Sequence, residues 1–214
     1  MTGRTGALSC LVVAVLATVE MSGTLSALAK SGSGGEDGRS GNWRNSAQGA
    51  PALEKSKKRA ADNPKDATAQ SDYGWALRQN GDLAAAEAAL REAIKLDDKL
   101  AYAHSNLSVT LLDEGKKDEA LVEAKKAVEI DYKGPIYRVV LGNALAATGD
   151  RKGAIDAYKV AIGIRPDYEN AFYNLGRVLN EDGQTTEAKT ALSEAYNLDS
   201  KDDRVVKLLD QLMK

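Results

Sequence analysis

Four windows of the chain decide its fold: LRQNGDLAAA (77–86), LLDEGKKDEA (111–120), LAATGDRKGA (145–154) and LNEDGQTTEA (179–188). Each opens on leucine, carries glycine in its fifth place and closes on alanine, and consecutive windows stand 34 residues apart. The same step relates Tyr73, Leu107, Leu141 and Leu175, and again Ala93, Ala127, Ala161 and Ala195. Composition alone does not produce such register, so the segment is an internal repeat. A glycine between two stretches of helical periodicity supplies the left-handed residue that stops one helix before the next begins. The windows therefore predict helical hairpins, each with a first helix of roughly 14 residues, a turn at Gly-Asp, Gly-Lys or Gly-Gln, and a second antiparallel helix.

Composition agrees. The chain has 214 residues, of which 34 are alanine and four proline, with 43% hydrophobic and only 5% aromatic residues. That balance favours helix over strand and excludes disorder throughout. Lys and Arg number 29 against 31 Asp and Glu, so no basic surface calls for nucleic acid. The lone Cys10 and lone His104 leave no residue set for a zinc site, a Cys-His nucleophile or a disulfide. His104 falls on a predicted helix, which argues for a partly buried or groove-edge side chain rather than a general base. No spacing of carboxylates with a base, a metal set or a cofactor loop is recognisable, so neither an enzyme nor a bound cofactor is expected.

The N-terminus has its own grammar. Arg4 precedes an apolar run from Ala7 to Val19, and Ala27-Leu28-Ala29 follows it, the order of a signal peptide over 1–29 processed after Ala29. Taken from Ala7 to Ala29 the segment could instead be an uncleaved membrane anchor, with Glu20 costing about 2.5 to 3.5 kcal/mol if placed centrally. Cys10 precedes most of the apolar run, which argues against a lipoprotein site. An exported location, periplasmic or secreted, is expected, with membrane attachment only if the segment stays. Residues 30–50, rich in Ser and Gly and holding Trp43, read as a flexible linker. Residues 51–66 read as an N-terminal capping helix or half-repeat whose Lys55, Lys57, Lys58 and Arg59 form a solvated face.

Counted from Ala67, Ala101, Pro135 and Glu169, the four units carry a small residue at position 8 (Gly74, Ser108, Gly142, Gly176), Ala86, Ala120, Ala154 and Ala188 at position 20, and Leu90, Ala124, Tyr158 and Leu192 at position 24. This pattern resembles the tetratricopeptide repeat, or TPR, over residues 67–202, in units 67–100, 101–134, 135–168 and 169–202. It departs at position 4, where Gln70, His104, Arg138 and Phe172 replace the family's tryptophan, and at position 32, where only Pro166 survives. The resemblance implies an all-α, right-handed α-solenoid of four hairpins. Residues 203–214 supply a C-terminal capping helix, with Val205, Leu208, Leu209 and Leu212 at helical spacing.

The resemblance further implies that positions 2, 5, 6, 9, 12 and 13 of the first helices line a concave groove that binds a protein or peptide. The groove candidates are then Trp75, Tyr102, Asn106, Val109, Leu112, Ile136, Val139, Asn143, Asn170, Tyr173, Asn174 and Arg177. Its centre is apolar and its ends polar. Trp75 and Tyr173 are candidate aromatic anchors. The carboxylate clamp of chaperone-type members is not expected, because only Asn106 fits it. Asn106 and Asn174 at position 6 suggest two rungs of an asparagine ladder. A glycosylation sequon, Asn106-Leu107-Ser108, falls within a helix and is read as chance. The alternative function is a structural subunit that makes contacts through its convex face.

Overall fold

A computed structural model describes residues 49–213, with side chains from Ala52 onward; the predicted leader over 1–29, the linker up to residue 48, Cys10 and Trp43 lie outside the described residues. Ten helices follow in order among them: α1 (Gly49–Asp62), α2 (Ala67–Gln79), α3 (Leu83–Leu96), α4 (Ala101–Asp113), α5 (Lys117–Ile130), α6 (Pro135–Thr148), α7 (Arg151–Ile164), α8 (Glu169–Glu181), α9 (Thr185–Leu198) and α10 (Asp203–Leu212). The described residues hold no strand. The pairs α2/α3, α4/α5, α6/α7 and α8/α9 are the four hairpins, and their first residues are those at which the repeat units begin. Helix α1 starts at Gly49, two residues before the expected cap, with Pro51 in its first turn, where a missing N–H costs nothing.

The hairpin turns are built alike. Gly81, Gly115, Gly149 and Gly183 all have positive φ, between 79° and 93°. In each, the residue after glycine donates its N–H back five residues, to the carbonyls of Leu77, Leu111, Leu145 and Leu179 at 2.8–3.1 Å. That is the Schellman closure of a helix C-terminus. In the first and third turns the residue donating is Asp82 or Asp150, whose carboxylate then caps α3 through Ala85 N–H or α7 through Gly153 N–H.

Within each hairpin the helices meet at one close contact. A Cβ on Gly74 would lie 2.6 Å from Leu90 Cγ, one on Gly176 2.6 Å from Leu192 Cγ, and one on Gly142 2.5 Å from the Tyr158 ring. Unit two compensates differently: position 24 shrinks to Ala124, and position 8 becomes Ser108, whose hydroxyl donates to the Ala120 carbonyl at 2.8 Å. Stacking buries the rest. Second helices α3, α5 and α7 pack on the first helix of the following unit. The core runs on through Leu107 and Leu111, Val140 and Ala144, then Leu175 and Val178, to Leu192 and Val205.

Both ends are half-units. Helix α1 occupies positions 17–30 of a unit that would begin at residue 33, the register of a second helix, and packs on α2 through buried Ala60. Helix α10 starts one full period after α8, the register of a first helix, and buries Val205 against α9 while Lys207, Asp210 and Gln211 face solvent.

Gly176→Ala should lower stability by about 1–3 kcal/mol, because the added methyl overpacks Leu192. Gly163→Ala, on α7 with open space around the added carbon, should instead raise it by about 0.5–1 kcal/mol. Urea denaturation of the two variants checks the opposite signs.

Candidate functional site

Consecutive first helices α2, α4, α6 and α8 pack on one another, whereas among the described residues no two second helices do so to a like extent. A stack whose first helices touch while its second helices splay apart curves toward the first helices. Their outward residues therefore form the inner wall.

The structure sorts the twelve candidates. Trp75, Tyr102, Val109, Leu112, Asn143, Asn170, Tyr173, Asn174 and Arg177 are half-buried, and Ile136 is 46% exposed. Asn106 and Val139, each 5% exposed, are corrections. Val139 belongs to the core shared with Tyr158 and Leu175, because position 5 faces the adjacent first helix. The Asn106 amide donates to buried Ser71 on α2 at 3.3 Å, so it ties two units together and is no rung. Its burial also keeps the sequon inside the protein. Tyr173 is corrected as a free anchor, and Asn170 with it: the Arg204 guanidinium of α10 lies 4.4 Å over the Tyr173 ring and donates to Asn170 Oδ1 at 3.0 Å.

The wall is internally neutralised. Arg78 on α2 pairs with Asp113 on α4 at 2.7 Å while lying 5.0 Å from the Trp75 ring centroid, and Arg177 pairs with Glu181 at 2.7 Å. At the N-terminal end Arg59 of α1 reaches Asp72 at 2.7 Å. Arg59 and Arg204 thus close the two ends of the wall. Between them lies an apolar strip of Val109, Leu112, Ile136, Ala146 and Ala147.

Some of what organises this wall is not apparent from groove positions. At position 4 the polar replacements each donate to the carbonyl at position 32 of the preceding unit. Gln70 Nε2 bonds Pro64 O at 3.4 Å, His104 Nε2 bonds Asp98 O at 3.0 Å and Arg138 bonds Tyr132 O at 3.4 Å. His104, expected to be partly buried or at the groove edge, is buried at 3% exposure, with Nδ1 2.6 Å from Glu123 Oε2 on α5. Glu123 also accepts from Lys126 at 2.9 Å. Burial acts to raise the Glu123 pKa, but the hydrogen bonds from His104 and Lys126 outweigh it and leave the carboxyl below its ordinary value. On α7, Tyr158 is wholly buried, and burial drives its phenol upward. Its O–H donates to Asn143 Oδ1 at 2.8 Å.

Among the described residues no cluster of three or more His, Cys, Asp or Glu could hold a metal ion, and no helix is long and apolar enough to cross a membrane. The model described as "TPR repeat" matches residues 142–183, and models described as "Tetratricopeptide repeat" match 44–101, and 101–133 with 169–202. The chain belongs to the tetratricopeptide repeat family. A thermophilic TPR protein of Thermus thermophilus, TTC0263, superposes with a TM-score of 0.72 at 16% identity, covering 78% of this chain and 91% of that one. A MamA protein is 26% identical with a TM-score of 0.58 over 70% and 81% of the two chains. YrrB, described as a TPR protein with an unusual peptide-binding site, is 19% identical with a TM-score of 0.57 over 76% and 92%. By sequence, a probable UDP-N-acetylglucosamine–peptide N-acetylglucosaminyltransferase SPINDLY of Hordeum vulgare is 33% identical over 111 residues, 49% of this chain. The TPR chain spans only 12% of that protein's length.

Because Glu123 titrates below the ordinary carboxylate value in the folded state, its stabilising contribution is present above that value and disappears as pH falls through the folded one. Glu123→Gln should therefore flatten the loss of stability on acidification relative to the parent chain. Urea midpoints measured from neutral pH down to pH 3 check this.

Proposed function

We propose that this TPR chain is a non-catalytic interaction scaffold that holds a protein or peptide segment along its inner wall at units two and three, outside the cytoplasm. One observation carries the reading: the first helices of units two and three present exposed Ile136 and half-buried Val109, Leu112, Ala146 and Ala147, flanked by charges that already pair within the protein. Such a strip rewards burial of apolar side chains and offers no unpaired charge to an acidic tail. The peptide-binding site named for YrrB supports the choice of a polypeptide partner. The transferase activity named for SPINDLY is not carried over, since the match covers 12% of that protein. The exported location rests on the order of residues over 1–29, and N-terminal sequencing of the protein from its source should begin at Lys30.

A second reading has an observation of its own. Val122, Val160 and Tyr196 on second helices α5, α7 and α9 are exposed apolar residues, as contacts through the convex face of a larger assembly would require. A photo-crosslinking amino acid placed at Ile136 should capture a partner that the same residue at Val160 does not. Tyr102→Ala combined with Ile136→Asp should reduce capture by other partner-facing probes at least tenfold, with circular dichroism still helical. Capture confined to position 160 would reverse the assignment in favour of the convex face.

A further inference from the structure

Both ring nitrogens of His104, the only histidine of the chain, face oxygen. Nδ1 lies 2.6 Å from Glu123 Oε2 on α5, and Nε2 lies 3.0 Å from the Asp98 carbonyl in the loop between α3 and α4. A carbonyl oxygen only accepts. Glu123 accepts as well: Lys126 donates to its other oxygen at 2.9 Å. Burial acts to raise this carboxyl, yet the bonds from His104 and Lys126 keep it below its ordinary value and ionised. Neutral imidazole has one N–H and one lone pair. Either neutral tautomer therefore sets a buried nitrogen lone pair against an oxygen, and only the doubly protonated ring satisfies both contacts.

The place of these contacts gives the proton a mechanical role. Asp98 is position 32 of unit one, whereas His104 and Glu123 are positions 4 and 23 of unit two. One ring thus ties the second helix of its own unit to the loop that leads in from the preceding unit. Gln70 on α2 and Arg138 on α6 make the equivalent tie to the preceding carbonyl, but an amide does not titrate and a guanidinium keeps its proton in proteins. Among these three ties, the one at His104 is the one that pH can undo.

Glu123 and Lys126 of α5 are the charged side chains that reach this site. On the other helices packed against α4, charges are engaged elsewhere: Glu87 with Arg91 and Glu92 with Lys95 on α3, Asp72 with Arg59 and Arg78 with Asp113 at α2, and Arg138 of α6 with the Tyr132 carbonyl. In the loop, Asp97, Asp98 and Lys99 are exposed to solvent. When the proton leaves, the surviving N–H stays at Glu123, because a bond to a charged acceptor is about twice as strong as one to a neutral carbonyl. Nε2 then turns a lone pair to the Asp98 oxygen, and the loop loses its hold on α4.

We propose that His104 is an imidazolium in the folded chain and that its proton locks unit one to unit two, so that deprotonation frees the α3–α4 loop and loosens this joint of the solenoid. The joint stands independently of the inner-wall reading.

The test is NMR of the 15N-labelled full chain from about pH 5 to pH 9, a span that covers the titration of an ordinary histidine. At the acid end both ring nitrogens should carry protons. The Ala103 and His104 amides bond the Leu100 carbonyl at 2.9 and 3.4 Å. As the ring deprotonates, their hydrogen-exchange protection should fall about tenfold after correction for the intrinsic pH dependence of exchange. Ala171 and Phe172 bond the Tyr168 carbonyl at 3.0 and 3.4 Å at the same positions of unit four, and should keep their protection, since phenylalanine has no proton to lose. His104→Gln places in unit two the amide that unit one already uses, and should make protection at Ala103 independent of pH. Glu123→Gln should do the same, because a neutral ring can then donate from Nε2 to Asp98 while Nδ1 accepts from the new amide. A ring with a single N–H at the acid end would overturn the imidazolium. A ring that keeps both protons to the basic end, or a loss of protection at Ala103 no greater than at Ala171, would overturn the lock.

Discussion

The close approach of the two helices in each hairpin is the constraint on which the other features depend. It is met by complementary pairs: Gly74 with Leu90, Ser108 with Ala124, Gly142 with Tyr158, and Gly176 with Leu192. Where one partner grows, the other has no side chain; where position 24 shrinks to alanine, a serine fills part of the space and satisfies a carbonyl. Interiors packed to crystal-like density leave little freedom in such pairs. Because each hairpin keeps the same thickness, its neighbour can stack at the same step, and the first helices accumulate into one wall. Tyr158 shows how this steric rule acquires a polar consequence. A phenol placed where two other units have leucine must find a hydrogen-bond partner when buried, and the partner it finds stands on that wall.

The ends follow the same logic with different chemistry. An interior second helix buries alanine at positions 20 and 27; α1, with no first helix before it among the described residues, has Arg59 at position 27 instead of alanine. The arginine is half-exposed and turns to Asp72. At the other terminus, Arg204 stands one period after Asn170 and spreads over Tyr173, Asn170 and Asp202. A repeat array must stop its apolar stacking face somewhere. Here the stops also occupy the outer rungs of the wall, which shortens the stretch open to a partner to the middle units.

The architecture was largely legible because its determinants recur at a fixed step: four glycines with positive φ, four leucines whose carbonyls close the turns, and alanines at the helix crossings. Extending the same arithmetic by one period in each direction would also have located Arg59 and Arg204. The wall was less legible. The family resemblance puts position 5 in the groove, yet Val139 and Ser71 are buried, because adjacent first helices touch along that line. Asn106 and Asn174 share position 6 but not an environment: one meets Ser71 on α2, the other a carbonyl of its own helix. At position 4, polar residues stand in three units where the family has tryptophan. Their regular use as donors to the preceding loop depends on contacts between units, which spacing does not encode.

The polarity of the wall then bears on what kind of recognition it can perform. Exposed ion pairs such as Arg78–Asp113 are screened by solvent and contribute little to stability, but they leave neighbouring charges already paired, so a charged partner would have to compete with an existing counter-ion. Apolar burial at Ile136 is non-directional and would accept many side chains in either orientation. Tyr158 connects the two levels of the structure: the steric complementarity that makes hairpins stack also holds an amide in one orientation on the surface that the stacking creates.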